Sequence, residues 1–141
     1  MIHFQLVSSA GIKFDGEAYE ILVPTKAGVI GIFEEHMPLI SAATVGVLSV
    51  RKKSSDPDSA MENFAINGGL VEVNGKEVRF VADDITAEGE TSEQEAEAAL
   101  QRAKELVKTA DSRTALEEAH RTLHHSTAKL HLAKLKKRHH N

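Results

Sequence analysis

The residues of this 141-residue chain that could do chemistry are concentrated near its end. Residues 119–141 contain six His and six Lys or Arg but no Asp or Glu. His120 and His124 are spaced i, i+4 and would share one helix face, as two histidines of a metal site do. Residues 119–141 themselves contain no carboxylate to complete such a site. We therefore favour a solvated face that gains charge near the usual histidine pKa of about 6.5 over a metal centre.

The cations of the same segment allow three interpretations. They are Arg121, Lys129, Lys134, Lys136, Lys137 and Arg138. Binding to nucleic acid is disfavoured, because the segment has no Phe, Tyr or Trp to stack on bases and the rest of the chain is acidic. A solvated face stays open as the second interpretation. We favour the third, which is docking on an acidic protein surface.

Sequence patterns of a catalytic site are not found. There is no Walker loop, no nucleophile elbow and no His-Glu-x-x-His, and the absence of Cys excludes thiolate chemistry. Gly28 and Gly31 have the spacing of a phosphate loop, but a strand-like segment follows them, so a turn is favoured. Gly68-Gly69 indicates a tight bend or a close approach of two backbones. We expect no catalytic residue, no cofactor, no bound metal and no enzyme activity of the chain alone.

The elements that must position these residues change in character near residue 91. Residues 1–91 carry 7 Lys or Arg against 14 Asp or Glu, whereas residues 92–141 carry 10 against 7 and contain neither Gly nor Pro. An acidic head is therefore followed by a basic arm. We predict a head of residues 1–86, a linker of residues 87–91 and an arm of residues 92–141.

The head reads as short strands separated by turns. Period-two alternation and β-branched residues predict strands at 2–8, 19–24, 29–33, 45–51, 63–67, 69–73 and 77–82. Asn74-Gly75 is the sharpest turn signal and predicts a type I′ hairpin with positive φ at both residues. Residues 83–90 are acidic and lack a period, so they are read as connection.

The arm reads as two helices. Thr91 or Ser92 can cap the first, and Asp111 or Ser112 can cap a second that runs from about residue 113 to 137. Apolar stripes follow the helical period, and the predicted members are Ala96, Ala99, Leu100, Ala103, Leu106, Val107 and Ala110, then Leu116, Ala119, Leu123 and Leu130. The fold class expected is α+β, an N-terminal antiparallel β-sandwich or flattened barrel followed by a C-terminal antiparallel two-helix hairpin.

The first residues show no signal peptide, and no apolar run approaches the roughly 20 residues that span a bilayer. We expect a soluble protein that meets a membrane only through a partner.

Two segments resemble a known family. Residues 28–39 (Gly-Val-Ile-Gly-Ile-Phe-Glu-Glu-His-Met-Pro-Leu) are similar to the Gly-Glu-Leu-Gly-Ile-x-Pro-Gly-His-x-Pro-Leu segment of the epsilon subunits of F-type ATP synthases. Residues 67–73 (Asn-Gly-Gly-Leu-Val-Glu-Val) resemble the Ser-Gly-Gly-x-x-Glu-Val hairpin of that family. The similarity extends over essentially the whole chain, including the change from head to arm.

This resemblance implies a non-catalytic subunit of the central stalk, at the cytoplasmic face of the bacterial inner membrane. Its head would contact the gamma subunit and the polar loops of the c-ring, and its arm would extend between gamma and the alpha and beta subunits to inhibit ATP hydrolysis. The basic arm would meet an acidic loop of beta. The alternative from another class is a free-standing β-sandwich binding module with a dimerising helical tail.

The chain departs from the family pattern at several positions. Val29 stands where the family often has a Glu that faces the c-ring, and Glu34-Glu35 replace the Pro-Gly before the histidine. His36, Met37 and Pro38 remain as contact candidates with them.

Some bacterial members bind ATP through an Ile/Leu-Asp-x-x-Arg-Ala motif at the start of the first helix. Here Glu95 stands at the arginine position, and a carboxylate repels phosphate. Arg102 falls where a further phosphate contact is expected, but we expect no ATP binding of functional strength.

Overall fold

The computed structural model describes residues 1–140, and the side chains of residues 1–135. Its strands are β1 (Ile2–Ser8), β2 (Gly11–Ala18), β3 (Glu20–Thr25), β4 (Gly28–Ile32), β5 (Leu39–Arg51), β6 (Glu62–Asn74), β7 (Glu77–Val81) and β8 (Ile85–Ala87). A 3-10 turn (Asp58–Ala60) precedes β6, and the helices are α1 (Glu93–Thr109) and α2 (Arg113–His140). The predicted α+β class, a β-sandwich followed by two helices, is confirmed.

Two long strands hold the sandwich together. The strand order is β2-β1-β7-β6-β5-β3-β4, and β8 pairs with β6 beside this path. β6 pairs with β7 through residues 70–74 and with β8 through residues 64–66, so its two ends belong to different layers. Pairing of β1 with β7 is parallel, whereas the other pairs are antiparallel. The sandwich is therefore antiparallel apart from one long-range pair.

Gly69 lies between the two ends of β6 and permits the change of layer. Its φ is +142°, and a Cβ there would lie 2.6 Å from the carbonyl oxygen of Val81 and 2.8 Å from the ring of Phe80. The strands predicted at 63–67 and 69–73 are consequently one strand that bends at this glycine.

The hairpin between β6 and β7 differs from the predicted type. Asn74 pairs with Glu77, so the two loop residues are Gly75 and Lys76. Gly75 has a φ of +63°, but Asn74 and Lys76 do not have positive φ. A positive φ at the first central residue alone defines a type II′ turn, which favours Gly at that position. The type I′ prediction centred on Asn74-Gly75 was therefore wrong by one residue.

Large aliphatic and aromatic side chains from both layers form the core. The largest fully buried ones are Phe4, Phe80, Ile2, Leu6, Ile21, Ile32, Leu48, Ile66, Val23, Val50 and Val71. Each buried side chain of this size contributes about 1.5–3 kcal/mol to folding, which makes the sandwich the stable part of the molecule.

Two strands were missed in the sequence. β2 is an edge strand with two glycines and mostly half-exposed side chains, so it lacks a clear alternation. β8 is only three residues long and lies inside the segment read as connection, where Ile85 and Thr86 are buried against β6. Such a short strand is set by its tertiary partner rather than by a local period.

The helix boundaries follow local capping. Ser92 caps α1, since its Oγ accepts a hydrogen bond from the amide of Glu95 at 3.2 Å. Ser112 caps α2 in the same way, with the amide of Ala115 at 3.1 Å. These serines satisfy amides that the first helical turn leaves unpaired. Of the two capping choices offered by the sequence at each start, the structure uses the serine.

The predicted apolar stripes are only partly buried. Ala96 and Ala103 of α1 are buried, whereas Leu106 is 52% exposed. On α2 the buried set is Ala119, His125, Ser126, Ala128 and Leu132, while the predicted Leu116 is exposed. The reason is that α2 packs against α1 on one side and against the sheet on another, so one stripe does not describe it.

Glu35 adopts a conformation that disfavours its side chain. Its φ is +64°, and it is the only residue other than Gly with a positive φ among the described residues. It lies in the loop between β4 and β5, where the amide of His36 bonds to the carbonyl oxygen of Phe33 at 3.2 Å. A left-handed residue with a Cβ costs about 1–2 kcal/mol relative to Gly.

We expect Glu35→Gly to raise the free energy of unfolding by about 1 kcal/mol, and the melting temperature by a few degrees, because this strain is removed. Glu34→Gly is the control: Glu34 has no positive φ, so Gly there should leave stability unchanged or lower it. Thermal unfolding by circular dichroism compares the two. A Glu35→Gly variant no more stable than the wild type would contradict the strain.

Candidate functional site

The loop after β4 carries one group of the predicted contact residues. Met37 is 72% exposed and Phe33 is 43% exposed. The Phe33 ring meets Tyr19 edge to face, with ring centroids 5.7 Å apart. Glu34 lies 3.0 Å from the amino group of Met1. The loop therefore presents an apolar surface with carboxylates beside it.

His36 is half-buried in this loop and is held by its own backbone. Its Nδ1 lies 2.7 Å from the carbonyl oxygen of Met37, which can only accept, so Nδ1 donates. The other ring nitrogen, Nε2, is then the atom that remains to face a partner. Pro38 is exposed next to it.

The structure does not bring Val29 into this loop. Val29 is the second residue of β4, near the end of the strand that is away from the loop and about 13 Å from Phe33 at the usual strand rise. It is 66% exposed and lines a groove whose other wall is α2, where Thr127 and His131 lie. The predicted contact residues thus lie at two separate sites on the surface of the head.

A second exposed surface was not predicted from the sequence. Five apolar residues on neighbouring strands lie side by side across the sheet, and they are Ala42, Leu70, Val81, Val7 and Ile12. We call them the transverse apolar row. Leu70 is 49%, Val81 44% and Ile12 58% exposed. Five strands at the usual spacing make the row about 20 Å long.

Charged residues border this row. Glu72 and Arg79 are register partners on the next line of the same sheet face, beside the exposed Ile40. The signal that could have found the row is the apolar Leu70 next to the apolar Val71, which breaks the alternation of an exposed strand. A contiguous exposed apolar surface with a polar border is typical of a protein-contact site.

The arm covers a different part of the sheet. Ala128 and Leu132 of α2 are buried against Ala65 of β6, and Val45 and Val47 of β5 pack beside them. We call this contact the arm seam. Four of its five side chains are small or β-branched, which lets helix and sheet approach closely but buries little area.

One carboxylate of the head faces the arm at this seam. Asp84, between β7 and β8, lies 3.4 Å from Nδ1 of His125 and 3.9 Å from Nζ of Lys129. Burial lowers the pKa of His125 below its usual value, and the positive charge of Lys129 adds to this, while Asp84 opposes it. His125 is therefore a neutral group of the docked arm at neutral pH. It was missed among the candidates because six histidines share the segment.

The three predicted basic residues whose side chains are described differ in exposure. Lys129 is partly buried beside Asp84, whereas Arg121 and Lys134 are exposed. The predicted contacts Lys136, Lys137 and Arg138 lie outside the residues whose side chains are described. His120 and His124 have ring centroids 6.4 Å apart, and among the described residues no group of three or more His, Asp or Glu could hold a metal ion.

The candidate ATP positions on α1 are both exposed. Glu95 is at the first turn and Arg102 is two turns later, about 10 Å along the helix axis. Among the described residues, no ion pair or side-chain hydrogen bond neutralises the charge of Glu95. Within the described part of the chain, no helix is long and apolar enough to cross a membrane.

Comparisons with known proteins identify the class of this molecule. Residues 1–88 match the family "ATP synthase, Delta/Epsilon chain, beta-sandwich domain". The fold is similar to a chain of the Euglena gracilis mitochondrial ATP synthase structure (OSCP, F1 and c-ring), with a TM-score of 0.76, 17% identity and coverage of 91% of this chain and 78% of that one. A chain of the Tetrahymena thermophila mitochondrial ATP synthase central stalk and c-ring gives a TM-score of 0.63 at 18% identity, covering 92% and 96%. The protein thus contains the β-sandwich domain of an ATP synthase delta or epsilon chain.

Relatives of known name fix the family further. ATP synthase epsilon chains of Francisella tularensis subsp. tularensis (strain WY96-3418) and subsp. mediasiatica (strain FSC147) are each 35% identical over 126 residues, which is 89% of this chain and 83% of theirs. The chain belongs to the ATP synthase epsilon chain family. The family expected from residues 28–39 and 67–73 is confirmed, and the chain is a non-catalytic subunit of a rotary ATP synthase rather than a free-standing binding module.

We expect the wild-type protein to show no ATP binding below millimolar concentration in a calorimetric titration, because Glu95 repels phosphate at the start of α1. Glu95→Arg should bind ATP more tightly than the wild type. Glu97→Arg, an equal change of charge on another exposed side of α1, is the matched control and should not. Micromolar binding by the wild type would contradict this expectation.

Proposed function

We propose that this epsilon chain connects the c-ring to the gamma subunit through its head and regulates ATP hydrolysis through a mobile arm. The proposal rests on one observation, which is that one part of the sheet surface is exposed and another part is covered by the arm. One part presents the transverse apolar row, and another part is closed only by the thin arm seam. A head with a free contact surface and a weakly held arm is what such a subunit requires.

The transverse apolar row is the proposed contact with gamma. It lies on the rigid sandwich, and Leu70 and Val81 at its middle are each nearly half exposed. Burying a Leu side chain in a contact stabilises the complex by about 1.5–3 kcal/mol, so a few such residues can anchor a partner. The border of Glu72 and Arg79 would set the orientation of the partner.

The loop of Glu34, Glu35, His36, Met37 and Pro38 is the proposed contact with the polar loops of the c-ring. Met37 offers an exposed apolar side chain and His36 a polar ring nitrogen, which together suit a mixed polar and apolar partner. Val29 lies apart from this loop and would form a second, apolar point of contact. With these contacts the chain would lie at the cytoplasmic face of the bacterial inner membrane and would meet the membrane only through the complex.

The arm is proposed to exchange between the docked hairpin and an extended form. Ala96, Ala103, Ala119 and Ala128 form most of its buried surface, and Ala contributes little on burial. A helical element with so few large buried side chains opens at lower free energy than the core. Residues 1–86 and 92–141 would then behave as a fixed head and a movable arm joined by residues 87–91.

When extended, the arm is proposed to contact the alpha and beta subunits through its cations. Arg121 and Lys134 are already exposed in the docked form, and Lys129 becomes free when it leaves Asp84. Lys136, Lys137 and Arg138 continue this positive segment in the sequence. Attraction to an acidic surface of beta would speed capture and weaken at high salt.

Replacing Leu70 and Val81 together by Glu should weaken binding to gamma at least tenfold, because charge would be buried in an apolar contact. Leu106→Glu is the matched control, since Leu106 is 52% exposed on α1 and lies outside the row. Binding of isolated gamma is measured by calorimetry, with circular dichroism as a test of folding. Equal affinity of the folded double variant and the wild type would refute the assignment of the row.

Replacing Lys134, Lys136, Lys137 and Arg138 by Ala should raise ATP hydrolysis by the assembled complex and leave ATP synthesis little changed. The reason is that the four charges would hold the extended arm, whereas coupling depends on the head. Ala at Arg102, Lys104, Lys108 and Arg113 removes as many charges elsewhere on the arm and serves as the control. If neither the first variant nor a chain ending at residue 91 hydrolyses faster, the arm is not an inhibitor.

A further inference from the structure

His125 is the one buried histidine among the described side chains. It is 9% exposed, and it lies on the side of α2 that faces the sheet, three residues before Ala128 and seven before Leu132 of the arm seam. The spacing i, i+3, i+7 puts the three residues on one helix face. Because the seam brings α2 close to the sheet, the imidazole is removed from water when the arm is docked.

The two ring nitrogens of His125 have different surroundings. Nδ1 faces the carboxylate of Asp84 at 3.4 Å, whereas Nε2 is buried without a hydrogen-bond partner in the described part of the chain. A neutral ring tolerates this arrangement with Nε2 as an unprotonated acceptor. A protonated ring would bury an N–H⁺ group without an acceptor, and such a group carries a large desolvation cost.

Charged groups on the neighbouring elements do not offset that cost. On α2, Lys129 opposes a second positive charge, and Arg121 and Glu118 line the polar groove that also contains His125. On the head, Asp84 is half exposed and is shared with Lys129, and Asn67 of β6 is neutral.

The buried residues of α1 add no charge of either sign. They are Ala96 and Ala103. The net effect of burial, Lys129 and Asp84 is a lowered pKa of His125 in the docked arm.

The direction of the pH effect follows from this. In the released arm His125 is in water and has its usual pKa of about 6.5, whereas in the docked arm its pKa is lower. The stabilisation of docking is therefore complete above about pH 6.5 and is lost as the pH falls through the lower value of the docked state. Because one proton is taken up on release, the equilibrium constant for docking falls by up to about tenfold for each pH unit between these two pKa values.

We propose that His125 is a pH-sensitive latch of the arm: its neutral ring permits docking on the sandwich, and its protonation releases the arm. The inference rests on the proposed mobile arm and adds the signal that moves it. A fall in cytoplasmic pH would then favour the extended, inhibitory form and limit ATP hydrolysis.

The other histidines do not have the same linkage to docking. His120, His124 and His131 are exposed on α2, so their surroundings change less on release. His3 is on the head, where its hydrogen bond to Asp15 raises its pKa, and it lies away from the arm seam. His120→Gln is therefore a matched control for His125→Gln, because it makes the same change on the same helix at an exposed position.

Arm release can be measured directly in the full chain. The protein has no Cys, so cysteines introduced at Ser54 in the head and Arg113 at the start of α2 carry a fluorescence energy-transfer pair. The urea concentration at the midpoint of the loss of transfer is compared at pH 8 and pH 5.5. We expect the wild-type and His120→Gln midpoints to fall on acidification, and the His125→Gln midpoint to fall less than half as far.

Two further observations test the latch. His125→Lys carries a charge at both pH values and should have a low midpoint at pH 8 that acid lowers little further. NMR titration should give His125 a midpoint below the usual histidine value of about 6.5. An unchanged wild-type midpoint between the two pH values, or an equal fall in the wild type and His125→Gln, would overturn the proposal.

Assays of the assembled complex separate this proposal from the proposed function. If transfer depends on pH through His125 but a chain ending at residue 91 does not change ATP hydrolysis, the latch stands and the inhibitory role fails. If truncation increases hydrolysis but the transfer midpoints do not depend on His125, the inhibitory role stands and the latch fails.

Discussion

The arm seam is the contact on which the arrangement of the two halves depends. Ala65 leaves the outer face of β6 shallow, and Ala128 leaves the facing side of α2 equally shallow, so helix and sheet approach closely. A close approach through small side chains excludes water over a short distance but buries little apolar area. The close approach also determines which neighbouring side chains are buried in the contact. His125 shares the helix face of Ala128 and Leu132, and it is buried because they are.

The core of the sandwich is formed by large side chains, in contrast to the small side chains of the arm seam. Phe4, Phe80, Ile21 and Leu48 are fully buried in the sandwich, and the long strands β5 and β6 link its layers through continuous hydrogen bonding. Large side chains and continuous pairing favour opening of the sandwich only as a whole, whereas an arm that buries mainly alanines suits the separate opening proposed for it. One chain therefore contains a part that suits the transmission of force and a part that suits a change of position.

The sequence predicts those features that depend on a local period or a local cap. The alternation of Ile2–Ser8 identified β1 at its full length, and the paired cap candidates, Thr91 or Ser92 and Asp111 or Ser112, located the starts of the helices to within one residue. Features that depend on distant partners were missed. β8 forms because Ile85 finds β6, and the transverse apolar row exists only because five strands, two of them parallel neighbours, align one residue each.

The site was predicted less well than the fold for a related reason. Six histidines in residues 119–141 look equivalent in sequence, and only the position of α2 between α1 and the sheet distinguishes His125 from the others. Residues 28–39 were identified as a contact segment by resemblance, but the length of β4 separates Val29 from the loop of Glu34 and His36. A linear segment does not specify which of its residues share a surface.

Lys129 links the two proposed states of the arm. In the docked form its ammonium group lies 3.9 Å from Asp84, which it shares with His125. One side chain cannot pair with the head and with an acidic surface of another subunit at once, so docking and inhibition compete for the same cation. The exchange replaces one carboxylate partner by another, and its electrostatic energy changes little. A small additional contribution to the free energy then decides the position of the arm. The free-energy cost of burying a protonated His125 is such a contribution.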